Sequence, residues 1–113
     1  MTLDELAVSI EKASRDKEVR ALAELIKSWK TDESTVSELS SLVERYIGQV
    51  WFKTDAIHQK IYSAWQSFKA DAILNIGGMT MNERLYTFGL FGRFDAGSEH
   101  EQSIVYAKLQ AQR

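Results

Sequence analysis

The sequence predicts an all-α fold: a compact single-domain bundle, spanning residues 1–113, of about six helices with short connections. Three observations lead there. Proline is absent from all 113 residues and the six glycines lie mostly where segments end, as suits helices joined by tight turns. Apolar residues recur three and four apart, the spacing of one helical face. The pattern Ser/Thr-x-x-Glu, in which side chain and backbone satisfy each other's orphaned groups at a helix start, occurs at Thr2/Glu5, Thr35/Glu38, Thr80/Glu83 and Ser98/Glu101.

Thr2 and Glu5 open a first helix over about 3–14, with Leu3, Leu6, Ala7, Ile10 and Ala13 on one face. Asp16 is the candidate cap of the second, in which Val19, Leu22, Ala23, Leu25, Ile26 and Trp29 form the stripe before a stop near Lys30. Thr31–Thr35 has no apolar residue and reads as a connection. Val36, Leu39, Leu42, Val43, Tyr46 and Ile47 carry the third helix to Gly48, placed to take the left-handed position after a helix end. Val50, Trp51 and Phe52 are too apolar to hang free, so either Trp51 or Phe52 is expected to plug the core; Gln49–Phe52 also reads as a short extended piece.

Thr54 or Asp55 caps the longest helix, through Ile57, Ile61, Ala64, Trp65, Phe68, Ala72 and Ile73, with Tyr62 at the stripe's edge. Gly77-Gly78 ends it, because two adjacent glycines cost a helix about 2 kcal/mol relative to alanine. A short helix from 81 to about 91 presents Met81, Leu85, Phe88 and one of Tyr86 or Phe91. Gly92 reads as its C-terminus and Arg93–Gly97 as a turn. Ile104, Val105, Ala107 and Leu109 build the last helix, with basic Arg113 at the negative end of its dipole.

Composition narrows the chemistry. Sixteen acids against fourteen bases give a net charge of −2, and the signs are interleaved, so a basic stripe able to track phosphates is missing. Cysteine is absent, which removes disulfides, thiol catalysis and cysteinyl metal sites. No apolar run reaches the roughly 18 residues of a bilayer span, and Met1–Leu6 has neither a basic head nor a secretory apolar core. A soluble, cytoplasmic protein with no membrane partner is the expectation.

Candidate catalytic groups do not assemble. Asp55 and His58 stand i, i+3 and share a face, but a metal requires three or four ligands. Glu99-His100-Glu101 are consecutive, so their side chains diverge on a helix. Gly77-Gly78 precedes a helix without the Lys-Ser/Thr of a phosphate-binding loop, and Thr80 with Glu83 already occupies that helix start. No catalytic, cofactor-binding or metal residue is assigned, and the chain is not expected to be an enzyme. What stands out is an aromatic surplus: three Trp, four Tyr and five Phe, of which a core this size absorbs about half to two-thirds. The remainder should lie on the surface as interface anchors.

Tyr46-Ile47-Gly48, Trp51, Thr54-Asp55, His58, Ile61-Tyr62-Ser63, Trp65 and Phe68, then Gly77-Gly78-Met79-Thr80-Met81-Asn82-Glu83-Arg84-Leu85-Tyr86 with Phe91 and Arg93-Phe94-Asp95, resemble small immunity proteins of bacterial toxin systems, in particular those of contact-dependent growth inhibition. The resemblance covers a little under half of the chain. It implies an antitoxin that binds the C-terminal domain of a cognate toxin, commonly a nuclease, and blocks it; the charge pattern argues against direct contact to nucleic acid, and the oligomeric state stays open with a monomer favoured. Under that reading the exposed acids Asp32, Glu33, Asp55, Asp95, Glu99 and Glu101 steer docking, and one or two of Trp51, Tyr62 and Tyr86 supply anchors. The alternative is a small helical regulatory module that binds DNA or a peptide, for which Asn82 and Arg84 would be the groups reaching bases.

Overall fold

A computed structural model describes residues 1–110. Among them are seven α-helices: α1 (Leu3–Ala13), α2 (Lys17–Trp29), α3 (Val36–Gln49), α4 (Asp55–Phe68), α5 (Met81–Phe88), α6 (Phe91–Ala96) and α7 (Glu99–Lys108). No strand occurs among the described residues, and the helices pack as one all-α bundle around one core. No helix of the described residues is long and apolar enough to cross a membrane. The placement expected for Arg113 lies outside the described residues.

Local sequence sets the helix starts. Thr2/Glu5, Thr35/Glu38 and Thr80/Glu83 each form a reciprocal capping box. Thr54 rather than Asp55 caps α4, its hydroxyl accepting from the Ile57 amide at 3.1 Å. Two expectations are only half met. Asp16 occupies the N-cap of α2 without a side-chain bond to the helix, because its carboxylate pairs with Lys53 at 3.1 Å. Ser98 accepts from the Glu101 amide, but the Glu101 carboxylate is drawn away to Arg93 at 3.0 Å.

α1 and α2 run antiparallel, so Lys30 at the end of α2 returns to Asp4 at the start of α1 (2.8 Å). α1 also packs on α4, α2 on α3, and α6 on α7. Trp29, Phe68 and Phe88 meet at the centre, with ring centroids 5.6 Å apart in the Trp29–Phe88 and Phe68–Phe88 pairs.

Glycine positions account for most of the differences from expectation. Gly48 lies inside α3, and its backbone is not left-handed. The α geometry of the long helix stops at Phe68, well before Gly77-Gly78. It widens into a π turn over Lys69–Ile73, closed by Leu74 N–H donating to Lys69 O at 2.9 Å. Across this stretch Ala72, Ile73 and Ile76 are buried while Leu74 turns outward. Gly77 and Gly78 belong to the 3-10 turn Ile76–Gly78 that follows.

Gly89, with φ 68° and ψ 35°, is the left-handed cap that ends α5 at Phe88 rather than near 91. The Leu90 amide reaches back to Leu85 O (2.9 Å) and Leu90 is fully buried, which together make a Schellman motif. Gly92 therefore sits inside α6, and the expected turn at Arg93–Gly97 is mostly the additional helix. A Cβ on Gly89 would lie 2.8 Å from Asp4 Oδ2 and 2.9 Å from Lys30 Nζ. Gly89→Ala is expected to lower stability by about 1–2 kcal/mol through the left-handed backbone alone, measured by urea unfolding.

Candidate functional site

The end of α3 and the start of α4 enclose a groove. Val50 has extended backbone (ψ 135°) and its amide still bonds Tyr46 O at 3.0 Å. Beyond it the chain alternates direction: Phe52 packs partly against the core, while Trp51 points outward with 92% of its surface exposed. Phe52 is thus the one of the two that plugs the core, and Trp51 is left at the surface. Burying both rings would require two adjacent extended residues to face the same way.

On α4, Asp55, His58 and Tyr62 stand at i, i+3 and i+7, which places them on one face. Their rings continue a ladder begun on α3. Tyr46 to Phe52 is 6.5 Å between centroids, Phe52 to His58 is 5.8 Å, and His58 to Tyr62 is 6.3 Å with planes only 14° apart. Tyr46 is fixed by its hydroxyl donating to Glu18 O at 2.6 Å. Two adjoining hollows of about 310 and 320 Å³ share Ile47, Gly48 and His58. Trp51, Phe52 and Asp55 wall the first, and Glu44, Tyr62 and Trp65 the second. Among the described residues no further ligand joins Asp55 and His58 in a group able to hold a metal.

Glu44 is tied within this wall: its Oε2 accepts from Lys69 Nζ at 2.6 Å and from Trp65 Nε1 at 3.2 Å. Burial pushes the Glu44 carboxyl up, and those two hydrogen bonds outweigh it, leaving the group below its ordinary value.

The other predicted site residues are divided between two places. Tyr86 is exposed over a separate hollow with Thr2, Asp4, Glu5, Gly89 and Phe91. Asp32 and Glu101 are committed to holding the fold. Lys108, fully buried although charged, directs its ammonium at Trp29 O, at Asp32 O (3.0 Å), at Asp32 Oδ1 (2.9 Å) and at Ser34 O (2.8 Å). It also stands 4.0 Å above the Trp29 ring. Arg93 reinforces the same loop, donating from Nη1 to Lys30 O (3.0 Å) and Asp32 O (2.7 Å), and from Nε to Glu101. This makes Asp32 and Glu101 poor steering charges. Glu33, Asp95 and Glu99 remain exposed and outside every ion pair among the described residues.

For Asp32, burial raises the carboxyl but the bonds from Lys108 and Ser34 prevail, so it too lies below its ordinary value of 3.8. A folded carboxyl with a lowered value binds fewer protons than the unfolded one. Its stabilisation is present above the unfolded value and lost as pH falls through the folded one. The urea midpoint is therefore expected to fall as pH drops below the ordinary values of 4.5 for Glu44 and 3.8 for Asp32 and both carboxylates protonate. Glu44→Gln should flatten that acid limb, and a midpoint rising on acidification would contradict the assignment.

Sequence reasoning missed Lys108, and a signal for it existed. It stands i+4 from Ile104 and i+3 from Val105, on the apolar face of α7. Gly48 was assigned to a helix end, whereas it forms part of the floor shared by both hollows. His58, weighed in the sequence as a metal ligand, is half-buried between Phe52 and Tyr62.

The motif carrying the family resemblance is structural in this geometry. Thr80 and Glu83 start α5, Leu85 is buried, Arg84 Nη1 donates to Leu109 O at 2.9 Å, and Arg93 clamps the α2–α3 loop. No protein-family model, no curated protein and no solved structure matches the chain.

Proposed function

We propose that this chain is an immunity protein: an antitoxin that binds and neutralises a cognate toxin domain through the α3–α4 groove. The observation that carries the docking surface is Trp51, 92% exposed at the lip of a groove lined by Phe52, His58, Tyr62 and Trp65. Aromatic side chains of this kind dominate the energy of protein interfaces when a partner desolvates them. The choice of a toxin as partner rests on the resemblance of the Tyr46–Asp95 segment to immunity proteins. The work is done by binding, and no catalytic group is assigned.

The Thr80–Tyr86 motif then belongs to the scaffold, and specificity lies on the groove. Glu33, Asp95 and Glu99 act at a distance, raising the rate of encounter with a basic partner surface. Replacing them together by Gln, Asn and Gln is expected to slow association about three- to tenfold and leave dissociation unchanged, read by stopped-flow fluorescence. An unchanged association rate removes them from the site.

The defining experiment is co-expression with the toxin domain encoded beside this chain, followed by titration of the purified pair. Protection of growth together with a stable complex is the expected result. A pair that shows no association overturns the reading.

A further inference from the structure

The walls of the α3–α4 groove combine aromatic faces with negative charge in a way that selects one kind of side chain. The two hollows carry two carboxylates, Asp55 and Glu44, and no lysine or arginine. Of the nearby lysines, Lys53 is held by Asp16 at 3.1 Å and Lys69 by Glu44 at 2.6 Å, and Lys60 on α4 lines neither hollow. The second pair neutralises Glu44. Asp55 is different, because Thr54 caps α4 in its place. Its carboxylate stands at the groove without an ion pair among the described residues.

Resting on the groove as the docking surface, we infer that the group it takes from its partner is an arginine side chain, its guanidinium stacked on the Trp51 ring and paired with Asp55, which lines the same hollow. An aliphatic side chain would fill the groove but would take water from Asp55 without giving its charge a partner. A lysine ammonium is a compact, strongly hydrated charge that gains less from a ring face. A guanidinium is planar and weakly hydrated, stacks on aromatics, and presents paired donors to a carboxylate. It satisfies the ring faces and the carboxylate together. Trp51, 92% exposed, has a free ring face to offer it.

The chain alone suffices for a test. In an NMR titration of the isotope-labelled protein with N-acetyl-arginine amide, the Trp51 indole signal and amides between Gly48 and Tyr62 are expected to shift saturably. N-acetyl-citrulline amide, which keeps the shape and loses the charge, should bind at least about fivefold more weakly, with N-acetyl-lysine amide between the two. Asp55→Asn, an exposed substitution that leaves the Thr54 cap intact, should erase the difference between arginine and citrulline. Equal binding of arginine and citrulline, or arginine shifts confined to other parts of the molecule, overturns the assignment. Since no toxin is present, that failure leaves the antitoxin reading standing; arginine binding without toxin association overturns the antitoxin reading alone.

Discussion

Replacing Lys108 with methionine is expected to lower the unfolding free energy by about 2–4 kcal/mol, because backbone carbonyls lose their donor at about 1–3 kcal/mol for each one that water cannot reach, while the Asp32 carboxylate, 47% exposed, returns to solvent. Methionine keeps most of the side chain's volume and loses only its donors. The carbonyls of Trp29, Asp32 and Ser34, together with the Asp32 carboxylate, would then face a group that cannot donate. The contact with the Trp29 ring would lose its charge as well. A domain of this size has a total stability of about 5–15 kcal/mol, so the variant should unfold at far lower urea with its slope nearly unchanged. Asp32→Asn removes one acceptor charge and keeps all three carbonyls, so its effect should be smaller. If Lys108→Met left the midpoint where it was, the ammonium would not be what holds α7 to the α2–α3 loop.

Trp51→Ala is expected to leave stability within about 0.5 kcal/mol, because its ring is almost wholly in solvent, and to weaken toxin binding by at least 2 kcal/mol, about thirtyfold. The two numbers separate function from folding at one residue. Gly48 provides the complementary change. A Cβ built there meets nothing within 4 Å, and glycine in a helix interior costs about 0.5–1 kcal/mol relative to alanine. Gly48→Leu should therefore keep or raise stability while placing a side chain at the floor shared by both hollows. Loss of binding in a fully stable Gly48→Leu protein would locate the interface without removing any native contact.

Much of the fold was legible because it is written locally. Thr2/Glu5, Thr35/Glu38 and Thr80/Glu83 mark helix starts within four residues, and the apolar spacing of α1 to α4 identifies their buried faces. The helix ends were less legible. Gly89 and Gly92 both suit a helix terminus by composition, and what separates them is Leu90, whose burial makes the left-handed turn fall at Gly89. The π turn at Lys69–Ile73 has no local signature: Phe68, Ala72, Ile73 and Ile76 keep the spacing of an ordinary helical face.

The candidate site was legible in part. Trp51, Asp55 and Tyr62 were named from residue type and come together at one groove, because α4 places Asp55 and Tyr62 on the face beside the α3–α4 connection. Asp32 and Glu101 looked like steering acids, since sequence alone does not reveal the cations opposite them. Lys108 lies 74 to 79 residues from three of its carbonyl partners, and only the packed bundle brings them together.

Amide hydrogen exchange on the complex with the toxin domain tests the docking surface most directly. Binding through the groove predicts new protection concentrated between Ile47 and Tyr62, with the hollow around Tyr86 and Phe91 unchanged. Protection centred on Tyr86 and Phe91, with Ile47 to Tyr62 exchanging as in the free chain, would contradict it.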